Sequence, residues 1–374
     1  MPRDRHILIV PDKFKGTLTA RQAAETIAAG WHSARPQDTL ELLPMADGGE
    51  GFGEILGTRI GAQRQSCTTL DAAGRVHTAF WWYAPDSRTA IVETAQSNGL
   101  ALLPARHYPP CQLDTYGVGL MLQAAHRAGA RRVYAGLGGS ATNDGGFGMA
   151  RALGWRFLDH RDHEITEWTA LDQLARMDRP AAALQFDELI IAVDVTNPLL
   201  GPQGASRIYG PQKGLRPVDM PMAEAALSRL AAAVRDLCGE DIAACPGAGA
   251  AGGLGFGLRA FCRGRFESGA VIFAALAQLS ARVAQADIII TAEGALDEQS
   301  LMGKGVGTIA GAAAEAHKPC ICLAGSITAG LSAPWPRFSA YAIVPQIAEF
   351  TRAMAEPEAC LQQLAYSVAA QLRA

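Results

Sequence analysis

Short apolar runs recur along this chain, each closed by a polar or glycine-rich turn and followed by residues at helical spacing. The first is 7–10, four apolar residues in a row, the pattern of a parallel strand covered on both faces. Pro11 and Asp12 end it, and 13–16 forms a loop. Thr19 and Gln22 then make a capping box ahead of an apolar stripe at Ala23, Ala24, Ile27, Ala28 and Trp31. A second strand is expected at 40–44, followed by Asp47, Gly48, Gly49, Glu50 and Gly51. From about Cys67 the texture changes to a β-rich meander at 68–70, 76–83 and 89–92. Further strands are expected at 133–135, 157–159, 188–193, 287–291, 320–324 and 340–344. Helices are expected at 120–128, 147–153, 171–177, 223–238, 306–316 and 357–372, with Ser268 as N-cap of one more. Residues 206–214 read as a loop carrying Tyr209 and Lys213.

The regular strand–loop–helix texture of 1–66 resumes after about 284. The expected organisation is therefore an α/β protein with two different α/β domains. Residues 1–66 and 284–374 form a discontinuous outer domain, and 67–283 a second domain inserted into it.

The stretch 131–154 sits at the centre of this pattern. A strand turns through Gly136, Gly138 and Gly139, exposes Ser140, Thr142, Asn143 and Asp144, and enters a helix. Strand, glycine-rich polar turn and helix together aim backbone N–H groups at an anion. The hydroxyls and amide can bond phosphate or sugar-acid oxygens, and Asp144 can hold a cation or a hydroxyl. A tight turn with a capping Ser or Asp is the plainer alternative. A second glycine-rich stretch, 246–257, contains Gly252 and Gly253, which allow close ligand approach, close helix packing, or both.

Further strand ends carry single polar groups. Asp12 closes the first strand, where open α/β sheets place ligands, and Lys15 in the next loop is a candidate for phosphate or carboxylate. Asp194 closes 188–193 and suits a base or a metal ligand; Asn197 lies in the polar loop beyond it. Glu293 and Asp297 follow 287–291, Lys304 lies between two glycines, and Ser326 ends 320–324. Amides, a lysine and several carboxylates are what phosphoryl transfer needs: charge neutralisation, Mg²⁺ ligands and a proton acceptor.

Composition removes several classes. The net charge of −3 leaves no basic footprint, so nucleic acid is not expected as a partner. No uncharged run is apolar enough to span a membrane. The eight cysteines are scattered without zinc spacing, which fits small buried hydrophobes in a reducing cytoplasm. A Walker A motif, a protein-kinase signature set and a Gly-x-Ser-x-Gly elbow are all lacking. Residues 136–141 match a relaxed dinucleotide fingerprint, with Asp159 about twenty residues on, so a dehydrogenase is a weaker alternative.

Taken in order, the loops resemble one family. The blocks are PDKFKGTLTA after Val10, LLPMADGGEG to Gly51, GLGGSATNDGG to Gly146, DVTNPLLGPQGA from Asp194, GAGAAGGLGFG to Gly257 and TAEGALDEQSLMGKGVG to Gly307. This set is similar to bacterial glycerate kinases of type 1, also called glycerate 2-kinases. The resemblance implies ATP- and Mg²⁺-dependent phosphorylation of D-glycerate, giving 2-phosphoglycerate. It also implies a flavodoxin-like domain plus an inserted one, with the site in the cleft between them. The first block departs from the family pattern Pro-Asp-Ser-Phe-Lys-Gly-Ser, with Lys13 and Thr17 at the two serine positions, and Leu120 stands where the family carries Glu.

On this reading Asp194 is the expected base, assisted by Lys15. Asp297, Glu293 and Asp47 are the expected metal ligands. Asp12, Gly138, Gly139, Ser140, Thr142, Asn143, Asp144, Asn197, Gly252, Gly253 and Ser326 are expected to hold phosphate or substrate. The same residues would also suit a 3-phosphoglycerate-forming kinase or an inactive metabolite-binding regulator, and a homodimer is allowed.

Overall fold

A computed structural model describes residues 4–49, 51–104, 108–301, 305–332 and 334–372. The chain divides into two compact units, Met1–Asp47 with Ala270–Ala374, and Gly48–Gly269.

The first unit opens with β1 (His6–Pro11), the helix Ala20–Ala34 and β2 (Thr39–Leu42). The capping box is present: Thr19 accepts from the Gln22 N–H, and Gln22 returns to the Thr19 N–H.

The second unit then runs through β3 (Gln63–Leu70), β4 (Val76–Ala84), β5 (Thr89–Glu93), β6 (Arg132–Gly136), β7 (Arg156–Leu158), β8 (Arg176–Asp178), β9 (Glu188–Ala192) and β10 (Arg265–Glu267). Its main sheet has the order β10-β9-β6-β5-β4-β3. The β3–β4–β5 meander is antiparallel, and β5, β6, β9 and β10 are parallel. The short β7 and β8 form a separate two-stranded sheet, with a further bridge from Leu158 to Glu164. Phe147, Phe157 and Phe261 interlock in the core.

The chain returns to the first unit with β11 (Ile288–Leu296), β12 (Cys320–Ile327) and β13 (Phe338–Ala342). The sheet order is β13-β12-β11-β1-β2, and every pair is parallel. Counted within the unit this is 2-1-3-4-5, the doubly wound order of flavodoxin, with its reversal between β1 and β11. On one face Ile9, Ile290 and Leu323 pack under the helices Ala20–Ala34 and Pro357–Gln371. Gly30 lets those helices touch: a Cβ there would lie 2.3 Å from the Gln362 carbonyl oxygen. On the other face Leu296, Val306, Cys322 and Ala324 form a smaller core.

The divisions fall at 47/48 and 269/270, displaced from the expected 66/67 and 283/284. Packing gives the reason. The helix Phe52–Arg59 lies on Trp82 of β4; a Cβ on Gly53 would come within 2.0 Å of that indole. Residues 270–283 belong with the returning strands: Leu279 and Val283 are buried there, and Arg282 pairs with Glu41 of β2.

Three local expectations change. Residues 206–214 are mostly helix, Ala205–Lys213, closed by Gly214 at φ 96°. Residues 171–177 give way to a 3₁₀ turn, Trp168–Gln173, and then to β8. β11 continues through Glu293 instead of stopping before it.

Candidate functional site

In the first unit the reversal of strand order gathers acidic groups. Asp12 follows β1 directly, Glu293 sits in β11 and Asp297 just beyond it. The 13–16 loop crosses over Gly294, where a Cβ would lie 3.4 Å from the Lys15 backbone nitrogen; the Lys15 side chain is exposed. Ser326 of β12 is in register with Ala295 at the same end of the sheet. Asp297 is held by Ser300, accepting from its N–H (2.9 Å) and hydroxyl (3.1 Å). Glu293 Oε1 is buried and has no donor among the described residues. Burial, reinforced by the Asp12 and Asp297 charges, pushes the Glu293 carboxyl up to about 7. Such a cluster favours a cation.

Asp47, expected among the metal ligands, holds the Lys13 ammonium at 2.9 Å. Lys13 is one of the positions where this chain departs from the family pattern, and its charge occupies that carboxylate. Among the described residues, no three His, Cys, Asp or Glu side chains are arranged to bind a metal by themselves. Mg²⁺ commonly takes one or two carboxylates and completes its shell with water and substrate phosphates. One or two of Asp12, Glu293 and Asp297 would meet that requirement, with water and phosphate completing the shell. Glu50 and Lys304 lie outside the described residues.

In the second unit the loops after β6 and β9 carry the remaining candidates, and here burial revises the reading. Thr142, Asn143 and Asp144 are 0% exposed. Asp144 accepts from Thr115 N (2.9 Å), Thr115 Oγ1 (2.7 Å), Gly146 N (3.1 Å) and Gly148 N (2.9 Å). Its carboxylate is used in tying this loop to the start of the helix Tyr116–Arg127. Burial raises its pKa against those hydrogen bonds. The neighbouring Asp114 carboxyl is pushed up to about 6, first by burial and then by the Asp144 charge. Thr142 Oγ1 accepts from Asn98 Nδ2 (3.2 Å), and Asn143 Nδ2 donates to Ser206 Oγ (2.9 Å). These three side chains are therefore internal ties rather than exposed ligands.

Gly252 and Gly253 are also buried. They sit in a break, residues 251–253, within the helix Ala250–Cys262. Gly252 (φ +69°) leaves no room for a ligand: a Cβ would lie 1.9 Å from the Thr142 carbonyl oxygen, and one on Gly253 would lie 2.8 Å from Gly145 Cα. The two glycine-rich stretches pack on each other, backbone to backbone. Gly138 is likewise spent on packing, its N–H bonded to the Gly48 carbonyl (3.0 Å). Gly139 is exposed, Gly138 half-buried and Ser140 8% exposed, so the accessible edge of the loop is short.

Lys213, which the sequence pattern did not single out as a site residue, lies beneath that edge. Its ammonium donates to Ser140 Oγ (2.9 Å) and Thr142 O (2.7 Å). Burial pushes it down to about 7, opposed by the Asp144 charge. A lysine among Gly210, Pro211 and Gly214, shortly after the block that begins at Asp194, was the available signal.

Asp194 stands two residues past β9 and is half-buried. Its Oδ1 accepts from Ser268 Oγ (2.8 Å) and Gly269 N (3.0 Å). Asn197 is engaged on both sides, receiving the Tyr209 hydroxyl (2.5 Å) and donating to the Gln203 carbonyl (2.8 Å). The dinucleotide reading lacks its context. Asp159 caps an exposed turn, bonding the Arg161 and His163 N–H groups, and β7 beside it joins neither main sheet.

A doubly wound unit with carboxylates at its switch point, joined in sequence to a second α/β unit with glycine-rich strand ends, suits an α/β phosphotransferase. The family model described as Glycerate kinase family matches residues 7–373. A glycerate kinase of Halalkalibacterium halodurans is 36% identical, over 97% of both chains. A glycerate 2-kinase of Escherichia coli K12 is 37% identical, over 86% of this chain and 85% of its own. The crystal structure of a candidate glycerate kinase 2 from Salmonella typhimurium LT2 superposes with a TM-score of 0.80 at 33% identity, covering 98% of each chain. The chain belongs to the glycerate kinase family.

Proposed function

We propose that this enzyme transfers the γ-phosphoryl group of ATP to the 2-hydroxyl of D-glycerate, giving 2-phospho-D-glycerate. The observation that carries the reading is the carboxylate set Asp12, Glu293 and Asp297 at the strand-order reversal. It belongs to a chain that aligns over nearly its whole length with glycerate kinases. Mg²⁺, when bound by those carboxylates, would neutralise phosphate charge as the phosphoryl group moves.

The substrate hydroxyl is a poor nucleophile and needs a proton acceptor. Asp194 is our candidate for it: Ser268 and Gly269 fix one carboxylate oxygen and so orient the group. Lys15, exposed on the loop after β1, is a candidate for the transferring phosphate. Ser326 and Gly139 are candidates for further anion contacts.

All eight cysteines are free thiols, which supports a reducing cytoplasm as the location. No helix among the described residues is long and apolar enough to cross a membrane. A homodimer is an expectation for light scattering to test.

The test of the reaction is a phosphorus NMR time course with ATP, Mg²⁺ and D-glycerate. A 2-phosphoglycerate resonance is expected. A 3-phosphoglycerate resonance would retain the kinase and change the acceptor hydroxyl. No transfer to glycerate would overturn the reading and favour a metabolite-binding role on the same fold.

A further inference from the structure

The helix Ala205–Lys213 grips the 138–144 loop at two points. Ser206 near its start accepts from Asn143 Nδ2 (2.9 Å), and Lys213 at its end donates to Ser140 Oγ (2.9 Å) and Thr142 O (2.7 Å). An ammonium has donors and no acceptor. In its charged form Lys213 thus requires Ser140 Oγ to accept in this bond, which leaves the serine's own hydrogen to donate elsewhere. Of the hydroxyl, amide and carboxylate side chains on the loop, Ser140 alone keeps a face to solvent, 8% against 0% for Thr142, Asn143 and Asp144.

Among the described residues the charge behind that hydroxyl has no ion-pair partner, and the Asp144 carboxylate stabilises it from beyond ion-pair distance. A buried ammonium is costly unless paired. Among the described residues no carboxylate lies within ion-pair distance of Lys213, and the Asp144 carboxylate is taken up by Thr115, Gly146 and Gly148. A cation is thus held against the hydroxyl of the one hydroxyl, amide or carboxylate side chain on the loop that is not fully buried.

We propose that Lys213 is a positioning residue for an anionic oxygen of a substrate: it orients Ser140 so that the hydroxyl donates to that oxygen, and it supplies the positive charge behind the bond. This rests on the kinase reading above. The shared ligand chemistry is a carboxylate or phosphate oxygen, from glycerate in one case and from ATP in the other. The residue acts through Ser140 and need not touch the reacting atoms.

The test measures KM for glycerate and for ATP separately, with kcat, in Lys213→Met, Lys213→Arg, Ser140→Ala and the Lys213→Met/Ser140→Ala double variant. Thermal melts run alongside. The expected result is a rise of about 10- to 100-fold in one KM while the other holds. The substrate whose KM moves supplies the anion. Arg should recover part of the loss, and the double variant should be no worse than Lys213→Met alone. Unchanged KM values in a folded Lys213→Met variant would overturn the proposal. So would additive effects, or an equal rise in both KM values with a lowered melting temperature.

If Lys213→Met does not fold, Ser140→Ala decides alone: it must raise the same single KM, and normal values for both overturn the idea. Should the wild type fail to phosphorylate glycerate, the kinase reading falls by itself. Calorimetric titration of wild type and Ser140→Ala with ATP and with glycerate then reads this inference independently. Weaker binding of one anion by the variant supports it, and equal binding of both overturns it.

Discussion

Two groups of polar residues lie near strand ends in this protein and behave in opposite ways. Asp12, Glu293, Asp297 and Asp194 are half-buried carboxylates standing singly after, or late in, a strand. Thr142, Asn143 and Asp144 sit together in a glycine-rich turn and are completely buried. The second group carries the stronger motif, and its hydrogen bonds are directed inward. The first group carries almost no motif; a buried Glu293 oxygen there has no donor among the described residues, as is also true of Asn143 Oδ1 in the second group, but Glu293 in addition faces the Asp12 and Asp297 charges. Glycine content marks close backbone approach, and in a sheet protein the approaching partner can be another segment of the same chain. A strand-order reversal, by contrast, leaves a crevice beyond the carboxyl ends of the strands, which is where open α/β sheets bind ligands.

The sharpest way to break the comparison is Asp194→Asn. The expected fall in kcat is about 10²–10⁴-fold. The stability cost should be near ~1 kcal/mol, from weakened bonds to Ser268 and Gly269. Steady-state kinetics with a denaturation curve separate the two. Near-normal turnover would remove Asp194 as the base.

Asp144→Ala should do the reverse. It strands the Thr115, Gly146 and Gly148 N–H groups in the interior, at a cost of about 3–5 kcal/mol in urea unfolding. A fully stable variant that has lost substrate affinity would instead return Asp144 to the ligand-binding group. Gly252→Ala tests the same region through the backbone. Its Cβ would sit 1.9 Å from the Thr142 carbonyl at φ +69°, so the two stretches must separate. A loss of about 3 kcal/mol is expected, and a stability change below about 0.5 kcal/mol would refute the packing account.

These contrasts explain what could be read from the sequence. The buried strands of the first unit were legible because uninterrupted apolar runs such as 7–10 and 288–290 have one economical use, a two-sided parallel sheet. The capping box at Thr19 was legible because all its parts lie within four residues. The role of 142–144 was not, because its partners are remote: Thr115 lies 29 residues from Asp144, and Lys213 lies 71 from Thr142. Spacing along a chain cannot say whether a polar side chain in a turn meets a ligand or its own fold. The unit boundaries failed for a similar reason. Residues 48–66 look like a continuation of the first unit until Trp82 of β4 is seen against Gly53. The helix at Lys213 was hidden by Gly210 and Pro211, both poor helix formers, with tertiary contacts overriding propensity.

The smallest expected effect tests the first group where it is most distinctive. Burial and the charges of Asp12 and Asp297 raise the Glu293 carboxyl from 4.5 to about 7. Between those values the native state binds more protons than the unfolded chain, so stability falls as pH rises through the window. Below about 4.5 the group is protonated in both states and costs nothing. Above about 7 it is ionised in both, and the whole penalty is present. Glu293→Gln removes the penalty. Relative to wild type it should be indistinguishable at about pH 4 and more stable by about 1–3 kcal/mol at about pH 8 in metal-free buffer. A Mg²⁺ ion held by this carboxylate would then stabilise wild type at the higher pH by mass action, and the variant less. Thermal melts at both pH values, with and without millimolar Mg²⁺, read all of this at once. A pH-independent difference would show that the carboxyl is not strained by its neighbours. An equal response of the two proteins to Mg²⁺ would remove Glu293 from the metal set and leave Asp12 and Asp297 to hold the ion with the nucleotide.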